Sequence, residues 1–587
     1  MDRFGRWTAA LFLSCLAFGA MPAGARSVIA PTTDQRLPGG QRLIVLCYHD
    51  VMAAVPAGAD PETIDTATLA GQLDWLQSEG YVAIDLEQLK RAVAGSAPLP
   101  ERAVLLTFDD GYESAYTQVF PLLRAFHMPA VMGLVGAWME TGAGQQVRYG
   151  ERELPRAAFL SWDQAREMQA SGLVEFASHS WDLHHGVPGD PAGSSQPAAT
   201  THIALAAGAY EDDAGWAARV RADLLRNNAL LAERLGRAPR AIVWPYGRYN
   251  AELEKMAQGL GLAIGLTLDA GRSDETVPIS RLRRLLVDRR AAPNRTAQLM
   301  RQDDDAPTVR MLGVDLDRLA RVDRQDYARQ LDGLVDLVRR LGVDTVVLPA
   351  CVAPGPAGRI EAAYFHNRNL PVRADILGQV AWRIATATPA RVYAAMPLGG
   401  FAFEPAAGDA DRDDRLDQLF EDLGKAAYLK GLLLGPVGTG DALQALVERA
   451  GRLARRTRAW QPGLQSVLRW RPTTAAALPA QAGGVLMQHD LQLLDLAPEP
   501  AGGPSDRQLA AALAAVPDGA ARTVVAIGLL PGGAAQAERR AQELVRSGLA
   551  NLGLFDLDPQ SDAATLAALR GVLSLQSQPE AGARGAR

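Results

Sequence analysis

Five residues in the first third of the chain are of types that could share one reaction: His49, Asp109, Asp110, His179 and His184. Asp109 and Asp110 stand in Thr107-Phe108-Asp109-Asp110-Gly111, directly after the apolar run Ala103-Val104-Leu105-Leu106. Two adjacent carboxylates at the end of a buried strand are costly unless they are solvated or used, although Asp-Asp-Gly on its own reads as a plain turn. His179 and His184 lie in Ser178-His179-Ser180-Trp181-Asp182-Leu183-His184, after a second apolar run, Leu173–Ala177. Two imidazoles leaving one strand can converge on a metal ion. A carboxylate from a neighbouring strand would complete a two-His, one-carboxylate set with open positions for water and substrate. Taken singly, either histidine is an ordinary polar core or surface residue, so the argument rests on the combination.

Such convergence needs parallel strands that end side by side. The first region shows strand-like runs at Leu43–Cys47, Ala103–Phe108, Ala130–Leu134, Leu173–Ala177, Ala241–Trp244 and Ala263–Leu266. Helical patterns lie between them at Thr68–Glu79, Ser114–Phe126, Trp162–Ala170 and Trp216–Leu235. This alternation predicts a distorted, incomplete β/α barrel. The segment Val187–Asp213 is a long loop, of a length that is usually functional or mobile. A polar stretch, Arg301-Gln302-Asp303-Asp304-Asp305-Ala306-Pro307, then separates a second region. There, strand-like runs recur at Met311–Val314, Val343–Leu348, Arg391–Met396, Gly431–Leu434, Leu464–Leu468, Gly484–Met487, Thr523–Ile527 and Leu552–Phe555. Tyr327, Leu331, Leu334, Val335 and Val338 repeat at the spacing of one helix face. Eight strands with intervening helices predict a (β/α)8 barrel, with any chemistry at the strand C-terminal ends. The fold class is therefore α/β: a distorted (β/α) barrel over residues 26–300, a linker over 301–309, a (β/α)8 barrel over 310–575 and a tail over 576–587.

Together with Pro245-Tyr246-Gly247, the Thr-Phe-Asp-Asp-Gly segment and the spaced histidines resemble the polysaccharide deacetylase superfamily. Cys47-Tyr48-His49-Asp50 and the attached second barrel are most similar to its periplasmic branch, which acts on poly-β-1,6-linked N-acetylglucosamine. The resemblance implies that Asp110, His179 and His184 hold a divalent metal and that Asp109 is the general base. Zinc suits those ligands, and nickel, cobalt or iron would use the same set. Such a metal polarises an amide carbonyl and eases deprotonation of bound water. Protonation of the departing amine needs an acid, and His49 at the end of the first strand is the candidate because imidazole changes charge near neutral pH. Asp182 is placed to orient a ligand imidazole, with His185 a spare for His184. Tyr112, Trp181, Trp244 and Tyr246 flank the motifs and are candidates for stacking on sugar. His127, His202, His366 and His489 have no ligand-like company.

Composition sets the outer bounds. The 587 residues carry a formal net charge of −6 without a long basic run, which argues against nucleic acid as a partner. Arg3 and Arg6, an apolar run from Trp7 to Met21 and Ala23-Gly24-Ala25 make a signal peptide over residues 1–25, and so an exported, periplasmic protein. A membrane anchor would need a run of roughly 20 apolar residues, and lipidation at Cys15 has a poor preceding sequence. Cys47 and Cys351 remain after cleavage and read as buried apolar residues. The resemblance further implies a membrane synthase that delivers polymer and an outer-membrane export channel that receives it. The competing readings are a chitin or peptidoglycan deacetylase and a non-catalytic carbohydrate-binding scaffold.

The second barrel carries Asp315 and Asp317 after its first strand. The family it resembles ends a later strand in a His-Asp-Asp type segment, but here Gly431–Leu434 is followed by Gly435-Pro436-Val437. His489-Asp490 after Gly484–Met487 is the other candidate for that segment. Most glycosidases need two carboxylates across the bond. The expectation is a barrel that binds or guides deacetylated polymer through Asp315 and Asp317 and hydrolyses it poorly or not at all.

Overall fold

The computed structural model describes residues 34–150, 152–290, 293–301, 308–404, 408–437, 443–472, 477–495, 506–528, 534–555, 557 and 563–574. The expected leader with Cys15, most of the linker and the tail lie outside the described residues. Among the described residues, no helix is long and apolar enough to cross a membrane.

The first domain is an open, curled sheet of eight parallel strands. Its order is Ile264–Leu266, Ala241–Val243, Val174–Ser178, Ala130–Leu134, Ala103–Phe108, Leu43–Tyr48 and Leu285–Leu286, with Val82–Ala83 also paired to Ala103–Phe108. Every residue of Leu43–Tyr48, Ala103–Phe108 and Ala130–Leu134 is buried. That is why these strands read as continuous apolar runs: a parallel sheet is covered on both faces. The two ends of the sheet approach each other through isolated bridges, Leu266 to Leu282 and Leu43 to Ser273, so the barrel is incomplete. The two strands absent from the sequence reading, Val82–Ala83 and Leu285–Leu286, are two residues each and too short to leave a period.

Helices pack around this sheet with local start and stop signals. Thr66–Ser78 begins at Asp65, whose carboxylate accepts from the Thr68 amide, and Asp213–Leu235 begins at Asp212 and ends at left-handed Gly236. The helix expected over Ser114–Phe126 opens as a wider turn, Ala115–Val119, before continuing as Phe120–Phe126. The long segment before helix Asp213–Leu235 folds into a short hairpin, Gly186–Pro188 with Ser195–Pro197, and lies against the second domain.

The second domain is a closed barrel of eight parallel strands: Arg310–Gly313, Thr345–Pro349, Arg391–Met396, Gly431–Val437, Gln465–Trp470, Leu491–Leu494, Thr523–Gly528 and Asn551–Phe555. The last strand pairs with the first. Met311, Val347, Tyr393, Leu433, Val467, Leu493 and Val524 pack together inside it. Leu312, Leu348, Ala394 and Leu432, one residue on or before, face the surrounding helices, as the two-residue strand period requires.

One expected strand is wrong. Gly484–Met487 belongs to the helix Leu478–Leu486 and its cap, and the sixth strand is Leu491–Leu494. Four apolar residues cannot distinguish a strand from a buried helical turn, whereas Pro479 in the first turn is a helix-start signal. The correction moves His489-Asp490 to the N-terminal mouth of a strand. There Asp490 accepts from the Ser466 amide at 2.7 Å, and His489 Nε2 lies 3.2 Å from the Val447 carbonyl. A group at that end of a barrel serves stability, not the catalytic face.

Candidate active site

The strand C-termini of the first domain deliver the site. Beyond Phe108, the parallel ladder continues for one bond, Asp109 N–H to the Tyr48 carbonyl at 2.9 Å, and then the chain turns sharply. Asp110 adopts a left-handed conformation, φ 73°, as do Ser180 at φ 70° and Tyr246 at φ 55°. Such backbones are uncommon for residues with side chains and cluster where a chain must aim a group. Gly111 follows at φ 68°, and a Cβ there would stand 2.6 Å from a Leu134 methyl. The glycine of Thr-Phe-Asp-Asp-Gly is thus required by both conformation and space.

His179 leaves its strand with its amide donating to the Leu134 carbonyl at 3.0 Å. The helix Asp213–Leu235 anchors the loop that follows. Asn227 donates to Ser178 Oγ at 2.8 Å and to the Leu134 carbonyl, and Asp223 accepts the amides of Trp181 and Asp182 at 2.8 Å each. This turn brings His184 back beside His179.

Asp110 Oδ1 is buried and accepts no hydrogen bond, yet His179 Nε2 stands 3.3 Å from it and His184 Nε2 3.4 Å. His179 Nδ1 lies 2.7 Å from the Val243 carbonyl, so this nitrogen carries the proton and Nε2 presents a lone pair. Tyr149 donates to the other oxygen, Asp110 Oδ2, at 2.8 Å. Three acceptor atoms facing one point fit a cation. Ligands about 2.1 Å from a tetrahedral metal stand about 3.4 Å apart, which is the spacing seen. Burial holds His184 down at about 4, so its imidazole is neutral and able to ligate. Burial raises the Asp110 carboxyl, but at the acidic pH where it would take up a proton the neighbouring imidazoles are charged, and they hold it below the usual range.

Asp109 is set differently. Arg284 donates to both of its oxygens, at 2.7 and 2.9 Å, in a pair that is almost wholly shielded from water. Arg284 also donates to Thr107 Oγ1 and to the Thr267 carbonyl, which fixes the fork. The thiol of Cys47 lies 3.4 Å from Asp109 Oδ2. Burial would raise this carboxyl, but the guanidinium charge overrides it and keeps Asp109 ionised. Half-buried His49 places Nε2 3.9 Å from Asp109 Oδ2.

His49, Asp109, Asp110, His179 and His184 all line one cavity of about 250 Å³, together with Tyr112, Tyr149, Trp244 and Tyr246. Tyr246 packs on His184 with ring centroids 4.4 Å apart. Trp181 is not among the residues that line this cavity. Its ring lies under the Arg226 guanidinium at 3.5 Å and against Gly136. Asp182 is exposed and faces His185, not a ligand imidazole; the group that orients His179 is the Val243 carbonyl.

Arg284 and Tyr149 were not legible beforehand. Arg284 sits in Arg281-Leu282-Arg283-Arg284, which reads as a solvated basic run, and Tyr149 in a two-stranded ribbon, Gln146–Tyr149 with Arg152–Pro155.

In the second domain, Asp315 and Asp317 line a separate cavity of about 600 Å³ at the strand C-terminal ends, with Tyr364, Arg373 and Gly435. They are its acidic residues among the described residues. Asp317 pairs with Arg321, accepts from the Tyr364 hydroxyl at 3.1 Å and has Arg373 at 3.9 Å. Gly431–Val437 brings glycine and proline to this rim.

Two family descriptions match parts of the chain. Residues 96–265 match the family described as polysaccharide deacetylase, and residues 313–415 match hypothetical glycosyl hydrolase family 13. Poly-beta-1,6-N-acetyl-D-glucosamine N-deacetylase of Escherichia coli K12 is 35% identical over 344 residues, covering 58% of this chain and 51% of that protein. The chain thus spans about half the length of the curated relatives it matches first. Among solved structures, the deacetylase domain from Bordetella bronchiseptica is 43% identical with a TM-score of 0.40, covering 44% of this chain and 99% of that one. A glycoside hydrolase domain from the same organism is 22% identical with a TM-score of 0.39, covering 46% of this chain and 99% of that one.

Proposed function

We propose that this chain, whose first domain belongs to the polysaccharide deacetylase family, removes acetyl groups from N-acetylglucosamine units of a β-1,6-linked polymer with the help of a divalent metal. The observation that carries the reading is the unsatisfied Asp110 Oδ1 facing His179 and His184 in the same cavity as an ionised, pinned Asp109. The polymer is taken from the named activity of the E. coli relative. Zinc is the first choice of metal, with nickel, cobalt or iron held by the same ligands.

A bound metal would polarise the acetamide carbonyl and acidify water. The chain's own residues do the rest. Asp109, kept ionised by Arg284, takes a proton from the attacking water. Arg284 holds both carboxylate oxygens, so the base has one orientation. His49 gives a proton to the departing amine, and its open side toward the cavity suits that role. Tyr246 and Trp244 form apolar wall against the sugar.

The second barrel binds or guides the uncovered polymer at Asp315 and Asp317, where carboxylates meet amines. The chain is exported to the periplasm by its N-terminal leader, between a membrane synthase and an outer-membrane channel. This placement rests on residues 1–25 and on the resemblance; fractionating cells and sequencing the mature N-terminus tests it.

The central test is acetate release from a β-1,6-linked N-acetylglucosamine oligomer by full-length protein. Chelation should abolish release and one equivalent of metal restore it. Full activity in metal-free protein would sink the proposal.

A further inference from the structure

A further cavity of about 520 Å³ lies between the two domains, apart from the catalytic residues. One wall comes from the first-domain segment around Thr201 and Tyr210, the other from His366, Asp375 and Tyr428 of the second. Most charged groups on these walls are already matched. Glu211 holds Arg219, Asp213 holds Lys425 and His202, Asp422 holds Arg368, and Asp375 accepts from the Tyr210 hydroxyl.

Arg248 is the exception. It is 5% exposed, lines the cavity, and makes no side-chain hydrogen bond or ion pair among the described residues, with Nε buried and unsatisfied. Its guanidinium lies flat against Tyr428 at 3.2 Å, with Trp382 at 5.9 Å. Burial lowers its pKa to about 10, so it stays a cation at neutral pH. A buried cation without an acceptor is costly, and a ligand oxygen would relieve that cost.

The surroundings indicate which ligand. Tyr210 and His366 stack at 4.1 Å, and Gln196, Thr200 and Thr201 add polar groups of the kind that meet sugar hydroxyls. The volume falls in the range of about 300–1,000 Å³ that encloses a drug-sized molecule, far more than an acetate ion needs. The wall is also continuous with the catalytic cavity. Tyr246 and Gly247 line that cavity, and Arg248, the next residue, lines this one. Trp382 of the second domain stands 6.3 Å from Tyr246, spanning the gap. An extended polymer could therefore occupy both.

We infer that the cavity between the domains is a second saccharide site, in which Arg248 donates to the acetyl carbonyl of an N-acetylated unit. The inference rests on the polymer reading above. A guanidinium repels the ammonium of a deacetylated unit and donates to an amide oxygen, so the site selects units that still carry acetyl.

Binding measured by calorimetry on full-length protein, silenced by Asp109→Asn, tests this. The probes are the acetylated β-1,6-linked pentamer, the fully deacetylated pentamer and sodium acetate. Arg248→Gln should weaken the acetylated pentamer at least tenfold and leave the deacetylated one unchanged or tighter. Equal loss for both pentamers, or no loss, overturns the inference. Arg248-dependent binding of acetate with pentamer binding unaffected overturns it in favour of a small-carboxylate site. If Arg248→Gln does not fold, Thr201→Trp, which fills the cavity from a half-buried wall, should give the same selective loss, and unaltered binding there overturns it as well. Acetate release by the unsilenced protein is measured separately. Its absence would defeat the deacetylase reading while Arg248-dependent binding of the acetylated pentamer still stood.

Discussion

The two domains place carboxylates at the same structural address and use them differently. In both, parallel strands end together and an acidic pair leaves a strand: Asp109-Asp110 in the open sheet, Asp315 and Asp317 in the closed barrel. In the first, both carboxylates are buried, one is locked by Arg284 and the other turns an unsatisfied oxygen toward two imidazoles. In the second, Asp315 is exposed and Asp317 is surrounded by Arg321, Arg373 and Tyr364. The fold supplies a place for chemistry in each case. Only desolvation together with an acceptor left open makes that place reactive, because a charge already matched and wetted has nothing left to offer a reacting atom.

The sharpest way to break this contrast is to remove the open acceptor. Asp110→Ala or His179→Ala should lose metal, by elemental analysis, and reduce acetate release to background. Asp109→Asn and His49→Ala should keep the metal and lower turnover by roughly a hundred- to ten-thousand-fold, the range of a general base or acid. Near-normal turnover in Asp109→Asn would reassign the base. Arg284→Met tests the lock. It leaves a buried carboxylate without its partner and should cost about 3–5 kcal/mol of stability, read by denaturant unfolding. A small loss would mean that water or Cys47 takes over the pairing.

Tyr149→Phe is milder. Removing an outer hydrogen bond to a ligand should weaken metal affinity about 10- to 100-fold with folding intact. The smallest effect is expected in the second domain. Asp315→Ala and Asp317→Ala should change stability by no more than about 0.5 kcal/mol and leave acetate release from short oligomers unchanged. They should weaken retention of deacetylated polymer on a column. Shortened chains after incubation with the wild type, lost in these variants, would erase the contrast by showing a second catalytic site.

How much was legible in advance follows the range of the signals. The strands Leu43–Tyr48 and Ala103–Phe108 could be read because burial on both faces writes itself as an unbroken apolar run. The count of eight barrel strands held, but one was misplaced. Gly484–Met487 and Leu491–Leu494 are equally apolar and equally short; Pro479 is the one local sign that the first is helical, and barrel closure fixes the second as the strand. Trp181 and Asp182 looked site-like by adjacency to His179. The left-handed turn at Ser180 swings them onto the helix Asp213–Leu235 instead, a direction no spacing encodes.

Local signals already specify which residue types could meet: paired carboxylates after one apolar strand, paired histidines after another, and a glycine where the backbone must turn left-handed. Those are local facts, carried by burial, spacing and backbone sterics. Tertiary structure alone decided the partners. Arg284 reaches Asp109 across 175 residues, Tyr149 reaches Asp110 from a separate ribbon, and Arg248 is buried between domains opposite Tyr428. Ionisation and ligand-binding strength depend on these distant charges and on the exclusion of water, which come into being when the chain closes around them.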